Sequence, residues 1–359
     1  MGRTTKGHKP IATLLAMSSS SPVSRIRHLL RSAATSVLIT LVTLAVTEVL
    51  LRVADFRGLR QDASERSLAY GYDAELGWVP KPGSVSTVTT ARTIHAQHNS
   101  LGFRDVEFKP DGRPVMLFLG DSFVWGVDAE ANERFTDILR GKLPEFQTVN
   151  AGVSGYGTDQ EYLWLQRIWG SVRPSVVVLF FCTDNDRLDN TSNLRYDRYR
   201  KPYFVADADG TLVVRGQPVP KSLQLMIKDS WLVRHVWLAR VGALAYAEIS
   251  APGFSLPDPT ERLISKIHEF VSAHGAKLLV ALQSTDDRMV SLLKSERIPF
   301  VTLDGAAAFG IKYGNHFTPE GHQFAARRML DLFDTSIRVA QNQPTSTKGD
   351  AGGTVGVAH

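Results

Sequence analysis

The sequence predicts an α/β fold, a doubly wound parallel sheet of five strands, on two observations. Apolar, β-branched runs alternate with helix-period segments from Val115 to about residue 339. The runs at 115–119 and 175–182 are nearly continuous in apolar residues, as parallel strands covered on both faces should be. The other strands fall at 147–150, 277–282 and 299–303. Helical periodicity marks 132–143, 158–168, 259–274, 287–295 and 318 to about 339. A composition of 43% hydrophobic and 21% charged residues is ordinary for a globular chain.

Ahead of the sheet, residues 1–31 hold Arg3, Lys6, Lys9, Arg25, Arg27 and Arg31 and no acid. They carry +6 of a chain total of +5, so the remaining 328 residues sum to −1. A neutral body argues against a nucleic-acid partner. The basic tail leads into residues 32–54, where Ser32 to Thr47 holds no charge and Glu48 interrupts only near the far end. About 20 apolar residues cross a bilayer, and flanking basic residues stay on the cytoplasmic side. The expectation is therefore a single-pass inner- or plasma-membrane protein: cytoplasmic tail at 1–31, anchor at 32–54, body facing the periplasm or exterior. A cleaved signal peptide is the competing reading. The absence of an Ala-x-Ala site after the run, and the long basic segment before it, favour an anchor.

Residues 55–114, with "GWVPKPGS" and "HNSLGFRD", read as a strap of turns and short strands leading into a domain at 115–340. Residues 187–258 are too long for a connection and read as an insertion, a lid or substrate-recognition subdomain. Within it, "PYFVADADGTLVV" predicts a hairpin turning at Asp209-Gly210, and a Trp-bearing helix or helix pair follows. The Thr/Ser/Gly-rich end, 341–359, reads as a disordered tail. Cys182, the one cysteine, excludes an intramolecular disulfide and reads as a small buried hydrophobe.

In open α/β sheets, ligands bind beyond the carboxyl ends of the strands. There the first strand gives Gly120-Asp121-Ser122, the second "NAGVSGYG" with Gly155, the third "CTDND" with Asn185, and the last a loop ending in "GNHFTPEGH" with His316. A hydroxyl nucleophile, an imidazole base and oxyanion donors are what acyl transfer requires, and the set calls for no cofactor and no metal. Each residue has a plainer reading: a helix cap for Ser122, a turn glycine for Gly155, an Asx-turn for Asn185, a loop histidine for His316. Gly-Asp-Ser alone would occur by chance in roughly one chain in ten of this length. Convergence of all four on one sheet edge outweighs the separate readings. The other nine histidines lie in the tail, the terminus, the strap, the insertion or inside helices. Thr318-Pro319 predicts an N-cap and N1 proline, placing His316 just outside the last helix.

Ser, Gly, Asn and His in this order, each after a strand, resemble the SGNH (GDSL) hydrolase superfamily over about residues 115–335. "FLGDSFVWG" resembles its first block, "NAGVSGYGTDQ" its second, "TDND" its third and "NHFTPEGH" its fifth. The resemblance implies a flavodoxin-like three-layer α/β/α sandwich and a serine esterase or acylhydrolase. In it Ser122 is the nucleophile and His316 the base. The N–H groups of Ser122 and Gly155 and the Asn185 side chain form the oxyanion hole. The Gly-x-Ser-x-Gly elbow of α/β-hydrolases is absent, because Phe123-Val124 follow Ser122.

Two departures stand out. The family usually places an aspartate two or three positions before the histidine, where this chain has Gly314 and Tyr313. Asp304, Asn315 or a backbone carbonyl are then the candidates to orient His316, with an unaided Ser–His dyad expected. Thr183-Asp184 also stand where glycines are common. The resulting expectation is cleavage of O-acyl esters, acetyl among them, on an extracytoplasmic glycan or lipid. Competing readings are an O-acyltransferase acting on an exopolysaccharide, whose relatives carry Asp-x-His-Trp where this chain has "GNHF", and a non-catalytic glycan-binding or assembly protein.

Overall fold

The structure is a computed structural model, and it describes residues 22–61, 69–196, 199–309 and 316–338. The chain divides into two compact units, Met1–Gly58 and Leu59–His359. In the first, helix α1 spans Pro22–Ala54, 33 residues. From Val23 to Ala54 it is long and apolar enough to cross a membrane, and a signal sequence at this position would look the same. Its one acid, Glu48, pairs with Arg52 one turn on, at 2.6 Å, which offsets a lone carboxylate in the apolar run.

The second unit opens with two hairpins, β1 (Tyr70–Asp73) with β2 (Gly77–Pro80), and β3 (Val85–Thr89) with β4 (Thr93–Gln97). The main sheet follows: β5 (Val115–Leu119), β6 (Gln147–Asn150), β7 (Val176–Phe181), β12 (Lys277–Leu282) and β13 (Phe300–Thr302). They run parallel in the order β13–β12–β7–β5–β6. Counted among themselves from the first, this is the 2-1-3-4-5 order of flavodoxin-like sheets, with its switch point between β5 and β7.

Every residue of β5 and β7 is buried, and alternate residues serve opposite layers. Leu117, Leu119, Val177, Leu179 and Phe181 face helices α4 (Thr158–Val172), α9 (Thr260–Ala273) and α10 (Asp287–Ser295), joining Trp164, Ile168, Ile267 and Met289. Met116, Phe118, Val178 and Phe180 face α3 (Phe135–Lys142) and α11 (Pro319–Phe333), joining Phe135, Leu139, Ala325 and Met329. The fold is thus the expected three-layer α/β/α sandwich with a five-stranded parallel sheet.

The strap proves to be part of this body. Tyr70, Trp78, Val88, Ile94 and Phe103 are buried in the same core as the sheet residues. Within the insertion, β10 (Tyr203–Ala206) and β11 (Leu212–Arg215) form the expected hairpin, with Gly210 at φ +84° in its turn. The hairpin buries Phe204 and Leu212 against Leu263 of α9. The Trp-bearing stretch is three helices, α6 (Leu223–Asp229), α7 (Trp231–His235) and α8 (Trp237–Ser250), broken where Ser230 and Val236 turn extended. The described residues also include α2 (Ser122–Trp125), α5 (Asp186–Asn190) and a short ladder of β8 (Leu194–Arg195) with β9 (Tyr199–Arg200).

Candidate active site

The sheet's switch point is where the candidate residues gather. After β5 the chain passes Gly120, where a Cβ would lie 2.4 Å from Val124 Cγ2 and 3.1 Å from Phe180 Cβ. No other residue permits so close a turn into α2. The cap of α2 is Asp121, whose Oδ1 accepts from the Phe123 N–H at 2.9 Å. The capping role open to Ser122 is therefore filled by its neighbour, and Ser122 stands at the helix's first position, 4% exposed.

The loop after β6 packs onto this turn. Asn150 donates through Nδ2 to Val124 O at 2.7 Å and accepts the Gly152 N–H at 3.0 Å. The Val153 N–H reaches Gly120 O at 2.9 Å. A side chain at Gly152 would strike Trp125 N at 2.4 Å, and Gly155 sits at φ +83°, a conformation that favours glycine. Among the described residues, no backbone carbonyl accepts from the N–H of Ser122 or Gly155. After β7, Asn185 stands at the N-cap position of α5 without a side-chain capping bond and directs Nδ2 to Asp121 Oδ2 at 3.4 Å, beside Ser122. Burial pushes the Asp121 carboxyl above the usual carboxylate range, against the pull of the Phe123 N–H and of His316.

His316 closes the constellation. Thr318 caps α11 through the Gly321 N–H and Pro319 takes its first position, as the sequence indicates, so His316 lies just before the helix. Phe317, 1% exposed, packs edge-on against Phe123 with centroids 4.7 Å apart, while the imidazole rests on Phe123 at 5.2 Å. His316 Nε2 is 2.8 Å from Ser122 Oγ. With Nε2 accepting from the hydroxyl, the ring proton belongs on Nδ1. That nitrogen lies 3.9 Å from Asp128 Oδ2.

Of the two side chains that were candidates to orient His316, one is engaged elsewhere and the other is not described. Asp304 does not reach His316: its two oxygens accept from the N–H and the hydroxyl of Thr285, both at 2.7 Å. Those bonds hold its carboxyl below the usual range at an exposed position. Asn315 lies outside the described residues. The carboxylate that does approach, Asp128, stands six positions after Ser122 in the same sequence block. The acid at the end of "GDSFVWGVD" was the available signal, but its direction depends on a backbone at φ +63°.

Behind the site the Asn150 and Trp125 shell is pinned by a neutral histidine. Trp125 Nε1 donates to His98 Nε2 at 3.0 Å, leaving His98 Nδ1 to pair with Ser84 Oγ at 2.8 Å. Burial, with Arg104 and Arg134 nearby, pushes His98 down to about 4. Thr183 and Asp184, unusual in the third block, bond to β12's end, Thr183 Oγ1 with Ser284 Oγ at 2.6 Å and Asp184 Oδ2 with Gln283 Nε2 at 2.8 Å. Cys182 is buried, its thiol pushed well up by burial. Among the described residues, no group of three or more His, Cys, Asp or Glu could hold a metal ion.

Residues 118–324 match the GDSL-like Lipase/Acylhydrolase family. No curated protein matches the chain. Among solved structures, TesA is 12% identical, with a TM-score of 0.37 over 62% of this chain and 98% of that one. A member of the lipolytic protein G-D-S-L family from Veillonella parvula DSM 2008 is 13% identical, with a TM-score of 0.35 over 62% and 98%. The acetyl xylan esterase AlAXEase is 13% identical, with a TM-score of 0.34 over 60% and 98%.

Proposed function

The chain belongs to the GDSL-like lipase/acylhydrolase family and is an ester hydrolase; from that premise we propose that it works through a covalent acyl-serine on Ser122, with His316 as base. The observation that carries this reading is the 2.8 Å approach of His316 Nε2 to Ser122 Oγ. Nε2 takes the hydroxyl proton as Oγ attacks the ester carbonyl carbon. The oxyanion that forms is received by the N–H groups of Ser122 and Gly155 and by Asn185 Nδ2. As the tetrahedral species collapses, the C–O bond to the alcohol breaks and His316 returns its proton to the departing oxygen. Water, activated by the same nitrogen, then releases the acid and restores Ser122.

The substrate in this reading is an O-acyl ester, acetyl among them, on an extracytoplasmic glycan or lipid. Its support is the apolar helix Val23–Ala54, whose N-terminal turns carry Arg25, Arg27 and Arg31, a basic flank that favours a single-pass anchor with the body in the periplasm or outside. A second reading, transfer of the acyl group to a sugar hydroxyl, draws on the burial of Ser122, since a transferase must keep water from its acyl-enzyme. A fluorophosphonate probe tests the chemistry: it should label the wild type at Ser122, and absence of a Ser122 adduct would leave only the non-catalytic reading.

A further inference from the structure

The geometry points to Asp128 as the positioning carboxylate for His316, held in place by the β3–β4 hairpin of the strap; this rests on the serine chemistry proposed above. Asp128 is 1% exposed and divides its two oxygens. Oδ1 is taken by the Thr90 hydroxyl and by the Arg92 N–H at 3.0 Å, both in the turn between β3 and β4. Oδ2 is the oxygen that faces His316 Nδ1, at 3.9 Å. This is a charge-pair distance, and catalytic hydrogen bonds in unliganded sites are commonly long and tighten with substrate.

The clamp around Asp128 is extensive. Arg92 also reaches Asp128 O at 3.4 Å and grips Glu133 through both terminal guanidinium nitrogens, at 2.5 and 2.9 Å. Arg104, 2% exposed, donates to the carbonyls of Trp125, Gly126 and Ala129, the loop that carries Asp128, and to His95 O on β4. Asp128 itself holds φ +63°, a left-handed conformation that is disfavoured for a residue with a Cβ. Surroundings that over-determine a strained aspartate beside a catalytic base are what a positioning role requires.

Among the described residues, two other titratable groups stand near His316. Asp121 also interacts with His316, yet its oxygens accept from the Phe123 N–H and from Asn185 Nδ2 on the nucleophile's side. His322, pushed down to about 3 by burial, stays neutral. A carboxylate at Nδ1 selects the tautomer that leaves Nε2 free to accept, and it stabilises the imidazolium formed during attack.

Asp128→Asn in the full chain tests this, with aryl-ester kinetics and fluorophosphonate labelling followed across pH. Loss of the carboxylate should lower kcat by about 10²-fold or more, toward the roughly 10⁴-fold known for such changes in serine-protease triads, with KM nearly unchanged. The acid limb of the labelling rate should move to lower pH, because the imidazolium has lost its counter-charge. A lower rate with an unmoved limb would mean a merely structural aspartate, and a wild-type rate would mean none is needed; either overturns the inference. If Asp128→Asn fails to fold, Thr90→Val, which removes one of the two donors to Oδ1 and leaves Oδ2 untouched, decides: a loss of kcat at an unchanged melting temperature supports the clamp, and unchanged kcat overturns it. A wild type that is not labelled at all sinks the serine chemistry itself, and this inference with it.

Discussion

His316 Nε2 and Ser122 Oγ stand 2.8 Å apart although 194 positions separate them in the chain. Only the parallel sheet, which brings the ends of β5 and the residues after β13 to one edge, makes them neighbours. Because nucleophile and base act as a unit, Ser122→Ala and His316→Ala should each abolish turnover of a short-chain aryl ester, and the double variant should be no worse. Initial rates of the three proteins check this. Residual activity in Ser122→Ala equal to wild type would remove Ser122 from the chemistry.

Asn185→Ala should cost less than either, on the order of 10²–10³ in kcat for one oxyanion donor. Its amide also touches Asp121, so thermal unfolding must be compared alongside. A rate loss without a stability loss identifies transition-state stabilisation; a stability loss with normal kcat would make Asn185 a structural tie to Asp121 and nothing more.

Glu161 predicts an unusual pH dependence of stability. It is fully buried, neither of its carboxylate oxygens has a hydrogen-bond partner among the described residues, and burial with Asp186, Asp121, Asp159 and Asp189 nearby pushes it well up. A carboxyl raised on folding contributes stability that is full below the unfolded value of about 4.3 and is lost as pH rises through the higher folded one. Wild-type melting temperature should therefore fall from pH 5 to pH 8, and Glu161→Gln should flatten that fall. Parallel curves for the two proteins would show that Glu161 binds no extra proton in the folded state.

The apolar helix makes a topological prediction. A reporter fused after residue 340 should be active only outside the cytoplasm, and the protein should resist extraction by carbonate. Activity of the reporter inside the cytoplasm would reverse the orientation, and release by carbonate would remove the anchor.

Much of this was legible in the sequence because it depends on local pattern. The strands at 115–119, 147–150 and 277–282 lie where apolar alternation and β-branching put them. The cap at Thr318-Pro319 followed from side-chain chemistry alone. The helix expected from 132 is different: residues 131–133 form a short 3₁₀ turn, and α3 starts only at Phe135. Arg134 is drawn out of helical conformation, to φ −70° and ψ 145°, where its guanidinium meets Arg104 O and Asp137. The last helix likewise yields to a π turn at Asp334–Arg338. Asp128 escaped for the same reason as Arg134, since its partners Thr90 and Arg92 are nearly forty residues away and no periodicity encodes that contact.

The shared core of strap and sheet bears on where the molecule can be divided. A fragment beginning at residue 115, the edge that family resemblance suggests, would strip Trp78, Val88, Ile94 and Phe103 from the core and leave Trp125 without His98. It would also cut away Thr90, Arg92 and Arg104. The smallest piece that carries the whole catalytic body therefore begins near Leu59, where the second compact unit starts. This domain could be moved to another chain only together with its two hairpins, because much of what fixes the loop from Ser122 to Asp128 is written upstream of residue 115.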